Sequence, residues 1–222
     1  QAPEGVMDYI VGDIHGMADK LRGLVQIIEP HLTDDDTIVF IGDYIDRGPS
    51  PYEVVEFLVR LADTYNVVFL KGNHEDLFLR YVSGRDPDGV YLFNGGSYTI
   101  QSYRAHGGVH RLPARHEEFF NRLRMYHEGS GYIAVHAGLN PDTARLAEQT
   151  EHDMLWIREA FYRSSYRWPA TVVFGHTPTM QLTGSQEVYV NDEINIIGID
   201  TGAVYGGPLT CLRMPDRIIF QS

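Results

Sequence analysis

Three times in its first third the chain repeats one arrangement: an apolar run, a polar motif containing glycine, then a stretch with apolar residues at helical spacing. "DYIVGDIHG" leads into "MADKLRGLVQIIEP", where Leu21, Leu24, Val25 and Ile28 share a face. "DDTIVFIGDYIDRG" leads into "PSPYEVVEFLVRLADTY", with Val54, Val55, Leu58 and Leu61 aligned, and "NVVFLKGNHE" leads into "DLFLRYVSG". A strand that is apolar at every position needs cover on both faces. Such strands alternating with amphipathic helices specify β-α-β units and a parallel sheet. In open sheets of this kind ligands bind beyond the carboxyl ends of the strands, and all three polar motifs fall there. The units share a pattern and not residues, so this is not a solenoid repeat.

The remainder of the 222 residues keeps the chain within one expected domain, 1–222. From about 83 to 128 the alternation stops, and a segment rich in Gly, Tyr, Arg and His reads as a cap inserted over the strand ends. Its helical candidates lie near Tyr98–Tyr103 and Glu117–Arg124. "MYHEGSGYIAVHAG" reads as a hairpin turning at Gly129–Gly131. "DMLWIREAFYR" is helical and precedes the strand "ATVVFGHT"; the tail holds several short strands expected to pair mostly antiparallel. No apolar run approaches the length of a transmembrane helix. The single cysteine, Cys211 in "PLTCLRM", excludes an internal disulfide; it reads as a buried strand residue and fits a reducing compartment, so cytoplasm is expected. Gln1–Gly5 say nothing about targeting. A net charge of −12 argues against duplex nucleic acid as the main partner, although an acidic protein can hold an anion through bound metal ions.

The polar strand ends form a set: Asp13 and His15 in "GDIHG", Asp43 in "GDYIDRG", Asn73 and His74 in "GNHE", His136 in "VHAG" and His176 in "GHT". Four of the ten histidines fall in these motifs, and each motif carries a glycine that lets the backbone turn sharply. One such histidine is ordinarily structural; five motifs on one sheet edge are not. The mixed oxygen and imidazole donors suit Mn²⁺, Fe or Zn²⁺ and not Ca²⁺. Asp43 is the natural bridge between two ions, because its two carboxylate oxygens can each face one.

In this order the motifs resemble those of the calcineurin-like metallophosphoesterases. The intact "GDYIDRG" and "GNHE" look most like the phosphoprotein phosphatase branch in its compact bacterial and bacteriophage form. The resemblance runs from about Tyr9 to Leu212. It implies an α/β fold of two packed mixed β-sheets flanked by helices, an αββα sandwich with an inserted helical or loop cap. It implies two divalent metal ions, with Mn²⁺ expected to serve in vitro. Asp13 and His15 would hold the first, Asp43 would bridge, and Asn73, His136 and His176 would complete the second. Arg47 and Arg158 would grip phosphoryl oxygens, with Arg163 and Arg167 competing for the place of Arg158. His74 would be the general acid, oriented by Asp46. Tyr205 stands beside the phosphate by a looser similarity, or packs in a tight turn. A metal-bridging hydroxide would attack phosphorus in line, with no covalent enzyme intermediate.

Phosphoserine and phosphothreonine in proteins, with phosphotyrosine beside them, are the substrates this resemblance favours. The nucleotide branch of the superfamily often departs from the DRG motif and carries Asp after Asn-His. The alternative is hydrolysis of dinucleoside polyphosphates, nucleotides or RNA-end phosphates. An inactive scaffold module would lack a ligand or the acid, and none is missing. Five tyrosines in and beside the cap, Tyr81, Tyr91, Tyr98, Tyr103 and Tyr126, either stack an aromatic substrate or pack the insertion, packing being favoured. His31, His106, His110, His116, His127 and His152 read as surface or structural, with His106 and His110 nearest the cap's lining.

Overall fold

The computed structural model describes residues 5–86, 88–143 and 145–222. Of the terminal stretch read as uninformative about targeting, all but Gly5 lies outside the described residues. Strand β1 (Asp8–Val11) leads into helix α1 (Ala18–Ile28), β2 (Thr37–Phe40) into α2 (Pro51–Leu61), and β3 (Asn66–Phe69) into α3 (Asn73–Val82). The cap follows, with a wide helical turn over Leu92–Gly96, then α4 (Ser97–Arg104) and α5 (Ala114–Asn121). The hairpin β4 (Tyr126–Gly129) and β5 (Tyr132–Val135) turns where the glycines predict. After it come α6 (Glu151–Trp156), α7 (Glu159–Tyr162), β6 (Thr171–Phe174), α8 (Thr179–Thr183) and β7 (Tyr189–Asn191). The chain ends with β8 (Ile196–Gly198), β9 (Thr210–Met214) and β10 (Ile218–Gln221).

The strands form two five-stranded sheets, in the orders β10-β9-β1-β2-β3 and β4-β5-β6-β8-β7. In the first, β1, β2 and β3 run parallel and β9 and β10 antiparallel. In the second, β5, β6 and β8 run parallel, so β8 departs from the antiparallel pairing expected of the tail. The crossover through α8 returns the chain in the direction of β6, and the two edge strands, β4 and β7, are reversed.

Period-two alternation explains why these strands are apolar on both faces. Along β1, Tyr9 and Val11 face the layer that holds α1 and α2, while Ile10 faces the other sheet. Val39, Leu70, Ala134, Val173, Ile197 and Leu212 join Ile10 there and weld the two sheets together. Val135, Val172 and Phe174 face outward under Met154, Phe161 and Trp168. The result is a helix–sheet–sheet–helix sandwich. The aligned residues of α1 and α2 are buried as the sequence predicts, and so is Cys211, whose thiol pKa burial pushes up.

The cap docks on α2. Helix α5 starts after Pro113 and stops at Asn121, a turn earlier than the spacing around Glu117–Arg124 suggests. Tyr103, Phe119 and Phe120 are buried against the α1–α2 layer. His116 lies wholly inside: Tyr103 Oη donates to Nδ1 at 2.9 Å, and Nε2 donates to Glu56 on α2 at 3.0 Å. Tyr91 and Tyr103 are both buried in this layer, whereas Tyr98 is 51% exposed.

Candidate active site

The ends of β1, β2, β3, β5 and β6 converge, and each delivers its motif within the first five residues beyond the strand. The first sheet supplies Asp13, His15, Asp43, Asn73 and His74; the second supplies His136 and His176. The backbone there is held in unusual conformations. His15, Asp43, Asp46, Arg47 and His176 all have positive φ, between 44° and 69°, the left-handed region that non-glycine residues avoid. Strain of this kind persists only where the surroundings impose it, and it concentrates at functional sites. Gly72 shows one imposed contact: a Cβ there would lie 2.2 Å from Asp43 Oδ1. The side chain of Glu75 supplies another, accepting the N–H groups of Asp43 (2.8 Å), Tyr44 (2.9 Å) and Gly72 (3.0 Å), so the second motif is tied to the start of α3.

Asp43 is the centre. Its Oδ2 lies 3.4 Å from His15 Nε2 and its Oδ1 lies 3.4 Å from His136 Nε2. Asn73 Oδ1 sits 2.9 Å from His136 Nε2 and 2.8 Å from His176 Nδ1. Two donor groups share Asp43: His15, Asp43 and His74, and Asp43, His136 and His176, the ligand atoms of each lying within 4.8 Å of one another. The first group contains His74 where the resemblance implies Asp13. Asp13 Oδ2 accepts the His176 N–H at 3.0 Å, and its Oδ1 is buried without a hydrogen-bond partner among the described residues.

The donors fit divalent cations. Ring orientation is set from behind, with His15 Nδ1 donating to Ile45 O and His136 Nδ1 to Ile41 O, each at 2.9 Å, which leaves both Nε2 lone pairs facing the centre. Burial is the main reason that His15 is held down to about 3 and that His136 and His176 also lie below the ordinary imidazole value. Neutral imidazole is the ligating form. Burial alone would raise Asp43, yet the four surrounding imidazoles hold it below the carboxylate range. Burial, then the charges of Asp200 and Asp43, push Asp13 up. A buried site with lone pairs aimed inward and carboxylates crowded together is what a cation would relieve.

His74 stands apart from the other three. Burial opposes its imidazolium, but the carboxylates of Asp43 and Asp46 outweigh it and raise the pKa. Nδ1 donates to Asp46 Oδ2 at 2.7 Å, and Nε2 is buried with no hydrogen-bond partner among the described residues. Arg47 donates to His15 Nε2 at 2.9 Å and stands 5.9 Å from the ring centroid of Tyr205. Arg158 donates to Thr177 Oγ1 at 3.1 Å. Both arginines line a cleft of about 90 Å³ together with Asp43, Asn73, His74, Asn94, Trp156, His176, Gln181 and Tyr205. Arg167 is occupied by the carbonyls of Asp192 and Glu193, which favours Arg158 at the cleft. A larger cavity of about 540 Å³, lined by Val59, Phe119 and Arg124 among others, contains none of these donors; chemistry and not size selects the site.

Sequence reasoning missed Asp200. It is buried in "INIIGIDTG", and burial, with the charge of Asp43 adding to it, raises its pKa to about 7. The signal was present, since Asp200 ends an apolar run beside a glycine as the other motifs do. Glu75 lies within "GNHE" with no role legible from the motif; Thr99, on Asp46, carries no local signal, and Tyr91, also on Asp46, reads only as one of the cap's tyrosines.

The fold and the donor set define a metal-dependent phosphoester hydrolase. The chain belongs to the calcineurin-like phosphoesterase family, whose model matches residues 9–208. A relative from Geobacillus thermodenitrificans, bis(5′-nucleosyl)-tetraphosphatase PrpE [asymmetrical], is 29% identical, and the match covers 93% of this chain and 90% of that one. Among solved structures, one provisionally described as a diadenosine tetraphosphatase superposes with a TM-score of 0.72 at 24% identity, covering 97% of this chain and 92% of the other. A serine/threonine phosphatase from Saccharomyces cerevisiae reaches 0.60 at 15% identity, covering 97% and 79%, a likeness of fold alone. Among the described residues no helix is long and apolar enough to cross a membrane.

Similarity to the tetraphosphatase over nine-tenths of both chains overturns the expectation of phosphoserine and phosphothreonine substrates. The motifs that favoured proteins, "GDYIDRG" and "GNHE", are by that resemblance the ones that would place metal donors, a phosphate-gripping arginine and an acid. A phosphomonoester and a phosphoanhydride present the same phosphoryl group to all of these. The motifs therefore report the reaction centre and not the group attached to it.

Proposed function

We propose that the chain hydrolyses dinucleoside polyphosphates, with a bis(5′-nucleosyl) tetraphosphate as the substrate class. The observation that carries this reading is similarity over nine-tenths of both chains to a tetraphosphatase of that kind. The cleft supports it: at about 90 Å³ it suits phosphoryl groups and leaves both nucleosides outside. Asp13, His15, Asp43, Asn73, His136 and His176 would hold two divalent ions, Mn²⁺, Fe and Zn²⁺ all being compatible with the donors. When bound, such ions supply Lewis acidity and a water acidic enough to attack at neutral pH.

The chain's own groups do the rest. Arg47 and Arg158 pair with the phosphoryl oxygens that gain charge in the transition state, where a planar guanidinium offers parallel N–H donors. Asp46 fixes the His74 ring so that Nε2 faces the leaving oxygen. The water oxygen bonds to phosphorus, the anhydride P–O bond breaks with its electron pair going to the leaving phosphate, and His74 Nε2 can deliver a proton there. Asymmetric cleavage of a tetraphosphate in this way yields a nucleoside monophosphate and a triphosphate.

The test is a substrate panel on metal-stripped protein with and without Mn²⁺: diadenosine tetraphosphate, phosphoserine, phosphothreonine and phosphotyrosine peptides, and a 5′-phosphorylated oligonucleotide. Mn²⁺-dependent preference for the dinucleotide, with AMP and ATP separated by ion exchange, is expected. Preference for a peptide or the oligonucleotide would overturn the substrate class.

A further inference from the structure

We infer that the cap is part of the catalytic apparatus, with Tyr91 and Thr99 as positioning residues that fix Asp46 and, through it, the His74 ring. Tyr91 Oη donates to Asp46 Oδ1 at 2.6 Å, and Thr99 Oγ1 donates to the same oxygen at 2.5 Å. Thr99 Oγ1 also accepts the Asp46 N–H at 2.9 Å. The other carboxylate oxygen is left to His74 Nδ1. One oxygen is thus held by two hydroxyls while its partner holds the imidazole, so the carboxylate cannot rotate without breaking two charge-assisted hydrogen bonds. Asp46, Tyr91 and Thr99 are each 0% exposed, so water cannot stand in for a lost hydroxyl without entering the core.

The backbone gives a reason for this support. Asp46 and Arg47 have φ of 69° and 64°, a conformation they do not hold by preference. The cap secures it at a second point: the Arg47 N–H donates to Gly95 O at 3.3 Å. Gly95 has φ 94°, and a Cβ there would lie 2.8 Å from Arg47 Cγ, so only glycine lets the cap come this close. Tyr91 and Thr99 flank that kink and reach down from either side of it. One stretch of the insertion, Tyr91 to Thr99, therefore seats both the orienter of the acid and the backbone of a phosphate-gripping arginine.

A buried carboxylate requires hydrogen bonds in any case, so a purely structural role must be separated from a positioning one. The inference rests on His74 acting as the proton donor. Tyr91→Phe suits the test because the ring, packed on Phe78 and Tyr81, stays in place and only the hydroxyl goes. The full-length chain loaded with Mn²⁺ is assayed on phenyl phosphates of graded leaving-group basicity, from p-nitrophenyl to unsubstituted phenyl, with metal content and Tm measured in parallel. Tyr91→Phe is expected to lower kcat on phenyl phosphate roughly tenfold and on p-nitrophenyl phosphate far less, with KM and metal content unchanged. Thr99→Val should steepen the same dependence, and Thr99→Ser should restore most of the activity. A uniform loss across the series, a loss that only follows Tm, or no loss would overturn the inference. His74→Asn runs beside them. If it is steep while Tyr91→Phe is flat, the positioning role alone fails; if it is itself flat, the proton donor fails and the inference with it.

Discussion

His74 Nδ1 lies 2.7 Å from Asp46 Oδ2, while the opposite ring nitrogen, buried at the cleft, has no hydrogen-bond partner among the described residues. A ring pinned on one side and free on the other can pass a proton in one direction only. His74→Asn should therefore lower kcat on alkyl phosphates by about 10²–10⁴-fold, the usual contribution of a positioned acid. The loss should be much smaller on p-nitrophenyl phosphate and on a dinucleoside tetraphosphate, whose leaving groups need little protonation. Steady-state kinetics across the three substrates decide the matter, and equal losses would remove His74 from this role.

Asn73 Oδ1 stands between two imidazoles, within 2.9 Å of each. Asn73→Ala leaves the His15 side of the centre intact, so the metal content measured by plasma mass spectrometry should fall from two ions per chain toward one. Retention of both would place the second ion elsewhere.

Arg158 faces the cleft, whereas Arg167 is committed to backbone carbonyls. Arg158→Ala should reduce kcat/KM by roughly 10- to 100-fold, the range expected for a charge-assisted hydrogen bond in the transition state. Arg163→Ala and Arg167→Ala should leave it within about twofold of the parent. Comparable losses in all three would mean that the charge of the whole segment around α7, and not one guanidinium, matters.

Acid stability provides a check on the cap. Burial, against the pull of Glu56 and with Arg115 and His106 adding to it, holds His116 below its ordinary value. Glu56 also lies low, burial being outweighed by its bonds to His116 and Arg60. As pH falls, the unfolded chain takes up both protons before the folded chain does, so stability present at neutral pH is lost through the folded-state values. Metal-stripped protein should show a Tm that declines from pH 7.5 to 5, and His116→Gln should flatten that decline. Parallel curves would show that the buried pair does not contribute.

The β-α-β half of the fold was legible because both faces of β1 and β2 are buried, which leaves a continuous apolar run with little ambiguity. The hairpin was legible from its glycines. The direction of β8 was not, since a three-residue strand carries no mark of the neighbour it will join. Every residue assigned to the site through its motif lies near the strand ends, though Asp13 stands outside the tightest donor groups and His74 inside one. The bond from Tyr91 to Asp46, and Thr99 altogether, were illegible for a physical reason. Single polar side chains within a helical stretch look like surface, and their burial becomes evident only once the insertion folds back onto "DYIDRG". The same motif misled about substrate, because phosphoryl chemistry leaves the outlying part of a substrate unread.

The donors come from both halves of the sandwich: Asp43 hangs from one sheet, and His136 and His176 from the other. An ion gripped there would act as a rivet through the two sheets. Anything bound only by the folded form stabilises it by mass action, about 2.7 kcal/mol at a hundredfold excess over Kd. Heat resistance would then rise and fall with the supply of cations, making the melting temperature of this enzyme a gauge of its metal loading before any substrate is added.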